Sequence, residues 1–350
     1  MANVTSGGRT IERLAGEAGF DLCGIATAEP GQEEGHLAEW LARDYHGDMG
    51  YMERRRDVRE ILPGCRSVIA LGVNYHVSAF HGPGPRVSRY AWGRDYHLTV
   101  GGMLEGLVPE LERTIPNEEF RAYCDTGPLL EKAWGQRAGL GWIGKNGCLI
   151  SQRFGSWFFL AVILTTAELD PDEPHPNRCG SCDLCLHSCP TDAFVSPGVI
   201  DARRCIPYLT IEQWPIGPEL KIAPHAFGCD ACQEVCPWNR KARDCERADF
   251  APRPGHANPD LKAWITMTKA EFKTRFGDTP WARPGRRGHA RNALAVLRES
   301  EIDEATLDAA RNDRSDLVRR QCDPPFSPRS APSSHGGPRS NQQGRANERP

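Results

Sequence analysis

The sequence lacks any apolar run long enough to cross a membrane. Its longest run, "WFFLAVILTT" from Trp157, is about half of what a transmembrane helix needs and is typical of a buried strand. The first residues also lack the apolar segment of a secretory signal. These absences exclude a membrane-spanning helix and predict a cytoplasmic chain, in which thiols are kept reduced.

A strong net charge is absent as well, since the 350 residues sum to −3. The charge is nevertheless uneven: residues 240–350 carry 22 Lys and Arg against 15 Asp and Glu, a balance of +7, and residues 1–239 a balance of −10. A basic segment is compatible with a polyanionic partner, but it is equally compatible with a solvated helical surface and a tail. Charge alone leaves both interpretations open.

Helical and strand patterns alternate over the first half of the chain, which predicts an α+β protein with an α/β domain at residues 1–172. A polar, proline-rich linker leads into a cysteine-rich module at 173–240. Residues 241–322 read as helices joined by short turns, and the pair near 285–320 is typical of helix-hairpin repeats. Residues 323–350 contain Pro, Ser and Gly with little to bury, which predicts a disordered tail.

Cysteine is abundant, and eight of the 14 cysteines fall between positions 179 and 236. The first motif, "CGSCDLCLHSCP", has the C-x2-C-x2-C-x3-C-P spacing of bacterial iron–sulfur ferredoxins. In that topology the fourth cysteine binds the neighbouring cluster. One [4Fe–4S] cluster is therefore predicted on Cys179, Cys182, Cys185 and Cys236. The other is predicted on Cys189, Cys229, Cys232 and, as the ligand missing from the second motif "CDACQEVCP", Cys205.

The alternative for the same eight thiols is two structural zinc ions, each held by four cysteines. Zinc sites usually show paired C-x2-C knuckles, so the triplet that closes on Cys-Pro favours iron–sulfur clusters. The remaining cysteines are scattered and predicted to be structural or incidental; they are Cys23, Cys65, Cys124, Cys148, Cys245 and Cys322. "GLGWIG" (139–144) matches a dinucleotide-binding fingerprint, but it follows a helix and has no acidic residue about twenty positions on, so we do not interpret it as one.

Several further segments resemble one family, the cobalamin-dependent epoxyqueuosine reductases of tRNA modification. The likeness covers about residues 8–320. The matching segments are "YHGDMGYM" (45–52), "SRYAWGRDYH" (88–97), "DTGPLLEKAWGQRAGLGWIGKNGCLI" (125–150), "GSWFFL", the cysteine array, "DARRCIPYLTIE" (201–212) and "GCDACQEVCPWNR" (228–240).

The resemblance implies an N-terminal domain similar to the cobalamin-binding half of reductive dehalogenases. A ferredoxin-like module with two [4Fe–4S] clusters would deliver electrons from an external donor to cobalamin. HEAT-like C-terminal helices would help to hold the anticodon stem–loop of a tRNA. The implied reaction removes the epoxide oxygen from epoxyqueuosine at the wobble position and gives queuosine, in a monomeric cytoplasmic enzyme with no membrane partner.

Asp125, in the segment "CDTGPLL", matches the family's proton donor. A donor that is protonated at neutral pH needs a raised pKa, which an apolar corrin face could give by desolvation. Without the resemblance, the same residue could be the N-cap of a helix that begins at Pro128.

The resemblance also implies cobalamin contacts, which we expect at His97, Asp125, Lys145, Asn146, Leu149 and Pro207. His97 lies in "GRDYH" beside Arg94 and Asp95, and it could instead be a structural hydrogen-bonding residue. Pro207 is a departure, because the family usually has a small polar residue there. A second departure follows "DLVRRQ", where "CDPPFSPRSAP" replaces the expected apolar helix, as if the last repeat were left incomplete.

Two other functions compete with epoxyqueuosine reduction. A related cobalamin and iron–sulfur reductase could act on a small molecule, as dehalogenases do, but the twin-arginine export signal usual for those enzymes is absent and the C-terminal half is basic. A ferredoxin-like electron carrier would not need the α/β domain of about 170 residues that precedes the clusters.

Overall fold

The computed structural model describes residues 4–78, 82–213, 221–297 and 302–322. The strands in these ranges are β1 (Leu22–Thr27), β2 (Ser67–Asn74), β3 (Arg86–Val87), β4 (Phe120–Tyr123), β5 (Trp142–Ile143), β6 (Leu149–Ile150), β7 (Phe158–Thr165), β8 (Phe194–Ser196), β9 (Val199–Ile200) and β10 (His225–Phe227). The α-helices are α1 (Val4–Glu17), α2 (Glu33–Ala42), α3 (Val58–Ile61), α4 (Tyr96–Thr114), α5 (Glu131–Arg137), α6 (Leu184–His187), α7 (Ala231–Glu234), α8 (Leu261–Thr266), α9 (Lys269–Phe276), α10 (Gly285–Leu297), α11 (Glu304–Arg311) and α12 (Asp316–Cys322).

The N-terminal half is organised around a four-stranded sheet in the order β1-β2-β7-β4. All three pairings are antiparallel, so the chain is α+β here, with mixed helix and sheet as expected. Every residue of β2 is buried, and alternate side chains enter different cores. Ile69 packs with α1 and α4, and Val68 packs with α5. Burial on both faces explains why this strand reads as a continuous apolar run.

Helix α4 begins with a side-chain cap that positions one candidate residue. Asp95 is the N-cap, and its Oδ1 accepts a hydrogen bond from the backbone N–H of His97. The helix contains Pro109 in its interior and ends at Thr114. Four apolar side chains of α4 reach the core beneath the sheet, so the helix is anchored along its length.

Helix α5 begins later than its sequence suggests. Pro128 predicts a helix start, but the first helical residue is Glu131 and its N-cap is Leu130, without a side-chain hydrogen bond. Residues 125–130 form a loop instead, and the carbonyl of Pro128 accepts from the backbone N–H of Arg56. The N-cap interpretation of Asp125 is therefore wrong, because the helix starts six residues further on.

The cysteine-rich module is built from short elements. Helices α6 and α7 pack against each other, and they carry Cys185 and Cys232 respectively. After Cys205 the chain forms a π-helical turn, Tyr208–Glu212. This turn shares a hydrophobic core with β3, β10 and helices α8–α12.

The helices predicted after residue 260 are confirmed, as α8 to α12. Their core also includes Val87 and Trp92 from the predicted first domain, so it crosses the boundaries drawn from the sequence, and the division into domains stays a prediction. Cys322 ends α12, and the tail 323–350, with the rest of the segment that departs from the family after "DLVRRQ", lies outside the described residues. Within the described ranges, no helix combines the length and apolar character required to traverse a membrane.

Candidate active site and metal centre

Four of the predicted thiol ligands surround one cavity of about 280 Å³. Cys179, Cys182, Cys185 and Cys236 all line it, together with Leu184 and Trp238. Burial raises the pKa of the Cys185 thiol, and the other three thiols raise it further. A cavity walled by four mutually repelling thiols fits a bound group that would take them as thiolates.

The other four predicted ligands form a second group. Burial raises the pKa of Cys205 to about 12, and the neighbouring thiol of Cys189 contributes next. The pKa of Cys229 is raised by burial and by Cys205 and Cys189, and that of Cys232 by burial and by Cys229 and Cys205 among others. These electrostatic neighbours agree with the two sets of four that the motif spacing predicts, and the assignment of the eight thiols as cluster ligands stays a prediction.

The thiols of each set do not converge on one point. Among the described residues, no three His, Cys, Asp or Glu side chains lie close enough to hold a single metal ion. In a cubane cluster each thiolate binds a different iron atom, so four ligands around a cavity do not need a common centre. Backbone N–H groups also approach the sulfur atoms, from Ala193 to Cys189 at 3.3 Å and from Ala231 to Cys229 at 3.4 Å. Such hydrogen bonds tune the potential of iron–sulfur clusters.

A ninth thiol lies near the second set. Cys148 contributes to the raised pKa values of Cys205 and Cys232, and its own pKa is raised by burial first. No motif indicates this proximity, because Cys148 is outside both cysteine motifs.

Asp125 lies in the loop between β4 and α5, and its backbone is in the left-handed region, with φ of 60°. This conformation is uncommon for a residue with a side chain and occurs often at functional sites. The hydroxyl of Tyr96 donates to Oδ2 of Asp125 at 2.6 Å, and Nε2 of His97 lies 3.4 Å from the same oxygen. Half of the Asp125 side chain is exposed. The carboxyl is thus held by two partners while one side faces solvent.

His97 lies between two carboxylates. Its Nδ1 atom is 2.8 Å from Oδ1 of Asp95, and its ring stacks on Tyr96 with centroids 4.1 Å apart. Hydrogen bonds with Asp125 and with Asp95 raise the pKa of His97 to about 9. The aromatic stack continues to Phe159 of β7, at 4.4 Å from the Tyr96 ring.

The pKa of Asp125 differs from the expectation. The pKa is lowered to about 2. The hydrogen bond with His97 is the main cause, and the hydrogen bond from the Tyr96 hydroxyl also lowers the pKa. The expectation of a raised pKa is wrong for the protein alone, because desolvation is outweighed by a cationic partner. At neutral pH the carboxyl is ionised, and the proton is carried by His97.

An ion pair near Asp125 was not foreseen from the sequence. Nη2 of Arg283 lies 2.7 Å from Oε1 of Glu212, and its guanidinium carbon is 5.7 Å from the centre of the Tyr51 ring. Arg283 lowers the pKa of Asp125, and Asp125 in turn raises the pKa values of Tyr51 and Glu212. These residues therefore share one electrostatic environment with Asp125. No single motif contains all three, because they come from distant parts of the chain, although Tyr51 and Glu212 each lie in a segment that resembles the family.

Two buried polar atoms near Asp125 have no hydrogen-bond partner within the described ranges: Oε1 of Glu131 and Nε of Arg55. Burial is the main cause that raises the pKa of Glu131. Asp125 raises it as well, whereas Arg55 lowers it. Another Arg55 nitrogen donates to the carbonyl of Gly127 in the Asp125 loop. An unpaired acceptor and an unpaired donor, both buried, suit a ligand rich in amide groups, since buried polar groups are normally paired.

The other residues expected to contact cobalamin have different surroundings. Lys145 and Asn146 line the cavity of the first thiol set, and Nζ of Lys145 donates to the carbonyl of Gly180 at 2.9 Å. Leu149 is buried in the core on the α5 side of the sheet. Pro207 is the N-cap of the π-helical turn. Their roles as cobalamin contacts stay predictions.

A larger cavity, of about 400 Å³, lies behind the Asp125 loop and not at its carboxylate. It is lined by Leu130, Trp134 and Arg55, with acidic side chains of α2 and α3. Neither Asp125 nor His97 lines it, so the size of a cavity does not locate the reacting group in this molecule.

Comparison with known proteins identifies two families by their sequence models. Residues 178–239 match "4Fe-4S double cluster binding domain", and residues 55–126 match "Epoxyqueuosine reductase QueG, DUF1730". The first match covers both cysteine motifs and agrees with iron–sulfur clusters in place of zinc. The second ends one residue after Asp125.

Similar curated proteins are named epoxyqueuosine reductase. The protein from Gloeobacter violaceus is 45% identical over 304 residues, 82% of this chain and 94% of that protein. The one from Synechocystis sp. is 43% identical over 267 residues, 72% of this chain and 91% of that protein.

Solved structures agree. A selenomethionine-labelled epoxyqueuosine reductase superposes with a TM-score of 0.82 at 28% identity, covering 91% of this chain and 89% of that one. An epoxyqueuosine reductase with an epoxyqueuosine-modified tRNA-Tyr stem loop gives 0.81 at the same identity and coverage. The Bacillus subtilis enzyme, with its aspartate catalytic loop swung out of the active site, gives 0.82.

Proposed function

The chain belongs to the epoxyqueuosine reductase family, and we propose that it uses Asp125 and His97 as proton carriers and eight cysteines as ligands of two electron-transfer clusters. It is an oxidoreductase that reduces epoxyqueuosine to queuosine at the wobble position of tRNA. The observation that carries the proposal is the pairing of Asp125 with His97 in a strained loop, within a fold that superposes on enzymes of this name.

The first cluster is assigned to Cys179, Cys182, Cys185 and Cys236, and the second to Cys189, Cys205, Cys229 and Cys232. The cavity inside the first set and the mutual electrostatic effects within the second support this assignment. Electrons from an external donor would enter through one cluster and leave through the other. The family match over residues 178–239 supports two [4Fe–4S] clusters in this module.

Cobalamin is the cofactor that the family implies, and the residues around Asp125 fit it. It would supply a strongly reducing nucleophile to the epoxide. Oε1 of Glu131 and Nε of Arg55 offer an acceptor and a donor to its amide groups. His97 and Asp125 would lie against it, and we retain Lys145, Asn146, Leu149 and Pro207 as further candidate contacts.

Removing the epoxide oxygen consumes two electrons and two protons, breaks two C–O bonds and releases water. The alkoxide formed when the first bond breaks needs a proton at once. We infer that Asp125, which is ionised in the chain alone, passes on to the alkoxide the proton held by His97, whose Nε2 lies 3.4 Å from the carboxylate. Tyr96 fixes the carboxylate through its hydroxyl. The catalytic aspartate loop of the Bacillus subtilis enzyme supports a role for the Asp125 loop.

The RNA partner is proposed to be the anticodon stem–loop carrying epoxyqueuosine, as in the related complex. The +7 balance of residues 240–350 supports a surface there for phosphate groups. We also propose that α8–α12 pack as HEAT-like repeats and that the protein is a cytoplasmic monomer. Binding should therefore weaken steeply with salt and should persist when 323–350 are deleted.

The test is an assay of anaerobically reconstituted protein on epoxyqueuosine-containing tRNA, with and without cobalamin. Conversion to queuosine only with cobalamin and a reductant is the expected result. A protein with both clusters and cobalamin that leaves the nucleoside unchanged, but dehalogenates a small molecule or only passes electrons to another protein, would overturn the proposal.

A further inference from the structure

Three residues from distant parts of the chain meet beside Asp125, although the proposed proton chemistry uses none of them. Tyr51 belongs to a short 3-10 turn, Gly50–Arg54, Glu212 ends the π-helical turn, and Arg283 precedes α10. Arg283 touches both of the others, with an ion pair of 2.7 Å to Glu212 and its guanidinium 5.7 Å from the Tyr51 ring centre.

Glu212 is held on a rigid support. The turn that it ends is fixed by two fully buried side chains of α10: Nη1 of Arg291 donates to the carbonyl of Leu209 at 3.1 Å, and Nδ2 of Asn292 donates to that of Thr210 at 2.9 Å. Arg283 follows the fully buried Trp281 and has its own backbone N–H bonded to Pro280. Preorganised side chains of this kind are suited to recognition.

The three side chains remain open to a ligand. Half of the Arg283 side chain, 22% of the Glu212 side chain and 37% of Tyr51 are exposed. The turn of Tyr51 is tied to the Asp125 loop, because Arg55, which directly follows that turn, donates to the carbonyl of Gly127, and each of the three side chains also interacts electrostatically with Asp125. They therefore lie in the same site as the reacting group, but at a distance from it.

Their chemistry matches the edge of a guanine-like base. Epoxyqueuosine keeps the Watson–Crick edge of guanine, in which two N–H donors stand next to a carbonyl acceptor, while its epoxide is carried on the opposite side of the ring. A carboxylate can accept from the two donors, and an adjacent guanidinium can donate to the carbonyl. Aromatic side chains stack on unpaired bases of RNA.

We propose that Glu212 and Arg283 read the guanine-like edge of the wobble base, with Tyr51 against its face, while the epoxide reaches Asp125. This rests on the proposed function and adds the residues that select the base. Enzymes that act on an extruded base read it in this manner, by hydrogen bonds to its Watson–Crick edge and by stacking. Adenine presents the opposite order of donor and acceptor, with an acceptor at N1 and no amino group at C2, so the carboxylate would lose both of its contacts to the base.

The test uses binding, not turnover, so that it is independent of the cofactors' chemistry. Fluorescence anisotropy would compare two unmodified anticodon stem–loops that differ only in G or A at the wobble position. The wild-type protein, with clusters and cobalamin bound, should prefer G by about ten- to hundred-fold. Glu212→Gln should bring the two affinities to within about threefold, because the amide cannot accept from both donors.

The matched control is Glu168→Gln, which removes another carboxylate that is paired with an arginine, Arg66, in a different part of the molecule. It should keep the preference for G. Absorption spectra of clusters and cobalamin establish that each variant is folded. If Glu212→Gln loses them, Arg283→Lys serves instead: it keeps the charge but not the planar fork, so the preference should fall as well.

Equal binding of the two stem–loops by the wild type would overturn the proposal. So would a preference that survives both Glu212→Gln and Arg283→Lys, since the pair would then be only a structural ion pair or a phosphate contact. A wild type that reduces epoxyqueuosine without preferring G contradicts this inference alone. A wild type that prefers G but does not reduce epoxyqueuosine contradicts the proposed function alone.

Discussion

The imidazole of His97 bridges two carboxylates: its Nε2 lies 3.4 Å from Oδ2 of Asp125 and its Nδ1 lies 2.8 Å from Oδ1 of Asp95. Both contacts favour the imidazolium. In the protein without cofactor or substrate, His97 thus holds one proton at neutral pH, and the neighbouring carboxyl of Asp125 is ionised. A single proton transfer from His97 to Asp125 would therefore protonate the carboxylate, which could then protonate an oxygen of the substrate.

This arrangement predicts how activity depends on pH. The pKa of His97 is raised from 6.5 to about 9, so the proton is present at neutral pH and is lost as pH rises through about 9. The single-turnover rate on epoxyqueuosine tRNA should therefore fall above that pH. His97→Asn should react more slowly, and its rate should not fall in this pH range. His36→Asn, a change on the exposed face of α2, should keep both the rate and its fall above about pH 9. A wild-type rate that is flat to pH 10 would contradict the assignment.

The same pKa shifts predict the pH dependence of stability. The raised pKa of His97 stabilises the fold fully below pH 6.5, and this contribution disappears as pH rises through about 9. The lowered pKa of Asp125 contributes above pH 3.8, and its contribution is lost as pH falls through about 2. The thermal midpoint of the wild type should thus decrease between pH 7 and 10 more than that of His97→Asn. Identical decreases would show that the imidazolium adds no stability.

Asp125→Asn tests the proton donor directly. The amide keeps the size of the side chain but cannot carry the proton, so turnover should fall by roughly a hundred- to ten-thousand-fold, the usual worth of general acid catalysis. Cluster content and cobalamin binding should change little. The control is Asp192→Asn, which also replaces an aspartate with positive φ, in the cysteine module. Near-normal turnover by Asp125→Asn would exclude Asp125 as the acid.

Much of this architecture is predictable from sequence because its signals are local. Buried strands such as β2 and β7 are apolar runs, and the double-cluster domain is indicated by the close spacing of Cys179 to Cys189. The start of α5 was misplaced because Pro128 fits a helix start equally well as a loop. Proline restricts φ but does not require the residues after it to be helical.

The electrostatics of the site and its base-reading residues were not predictable in this way. The pKa of Asp125 depends on His97, which approaches it only after α4 and β4 have packed. Glu212 and Arg283 are separated by 71 positions, and their ion pair forms only because α10 packs on the π-helical turn. No pattern of periodicity or spacing encodes a contact of that kind.

Cys205→Ser tests the assignment of the isolated cysteine. Wild-type protein should contain about eight irons and eight sulfides, because each cubane has four of each. The variant should lose about half of both, and the surviving electron paramagnetic resonance signal should belong to the cluster of Cys179, Cys182, Cys185 and Cys236. Cys245→Ser, a thiol outside both sets, is the matched control and should retain all eight irons. Tightly bound zinc without sulfide, or equal loss from both clusters, would refute the assignment.

Arg291→Met tests how the C-terminal helices support the site. Arg291 is fully buried, and its guanidinium donates to the carbonyls of Leu209, Thr210 and Gln213. Burial lowers its pKa to about 9, which leaves it charged at neutral pH. Methionine fills similar space but removes the donor to the carbonyls of Leu209 and Gln213, while that of Thr210 keeps only Asn292, and this loss should cost about 2–5 kcal/mol.

The expected result of Arg291→Met is a lower midpoint of denaturant unfolding together with a weaker preference for G over A at the wobble position, because Glu212 ends the turn that Arg291 holds. Arg320→Met, an exposed arginine of α12, is the matched control and should change neither measurement. A destabilised Arg291→Met protein that keeps full preference for G would show that the turn positions Glu212 without help from α10. A variant as stable as the control would mean that the buried guanidinium contributes no net stability, as happens when desolvation cancels the hydrogen bonds that it makes.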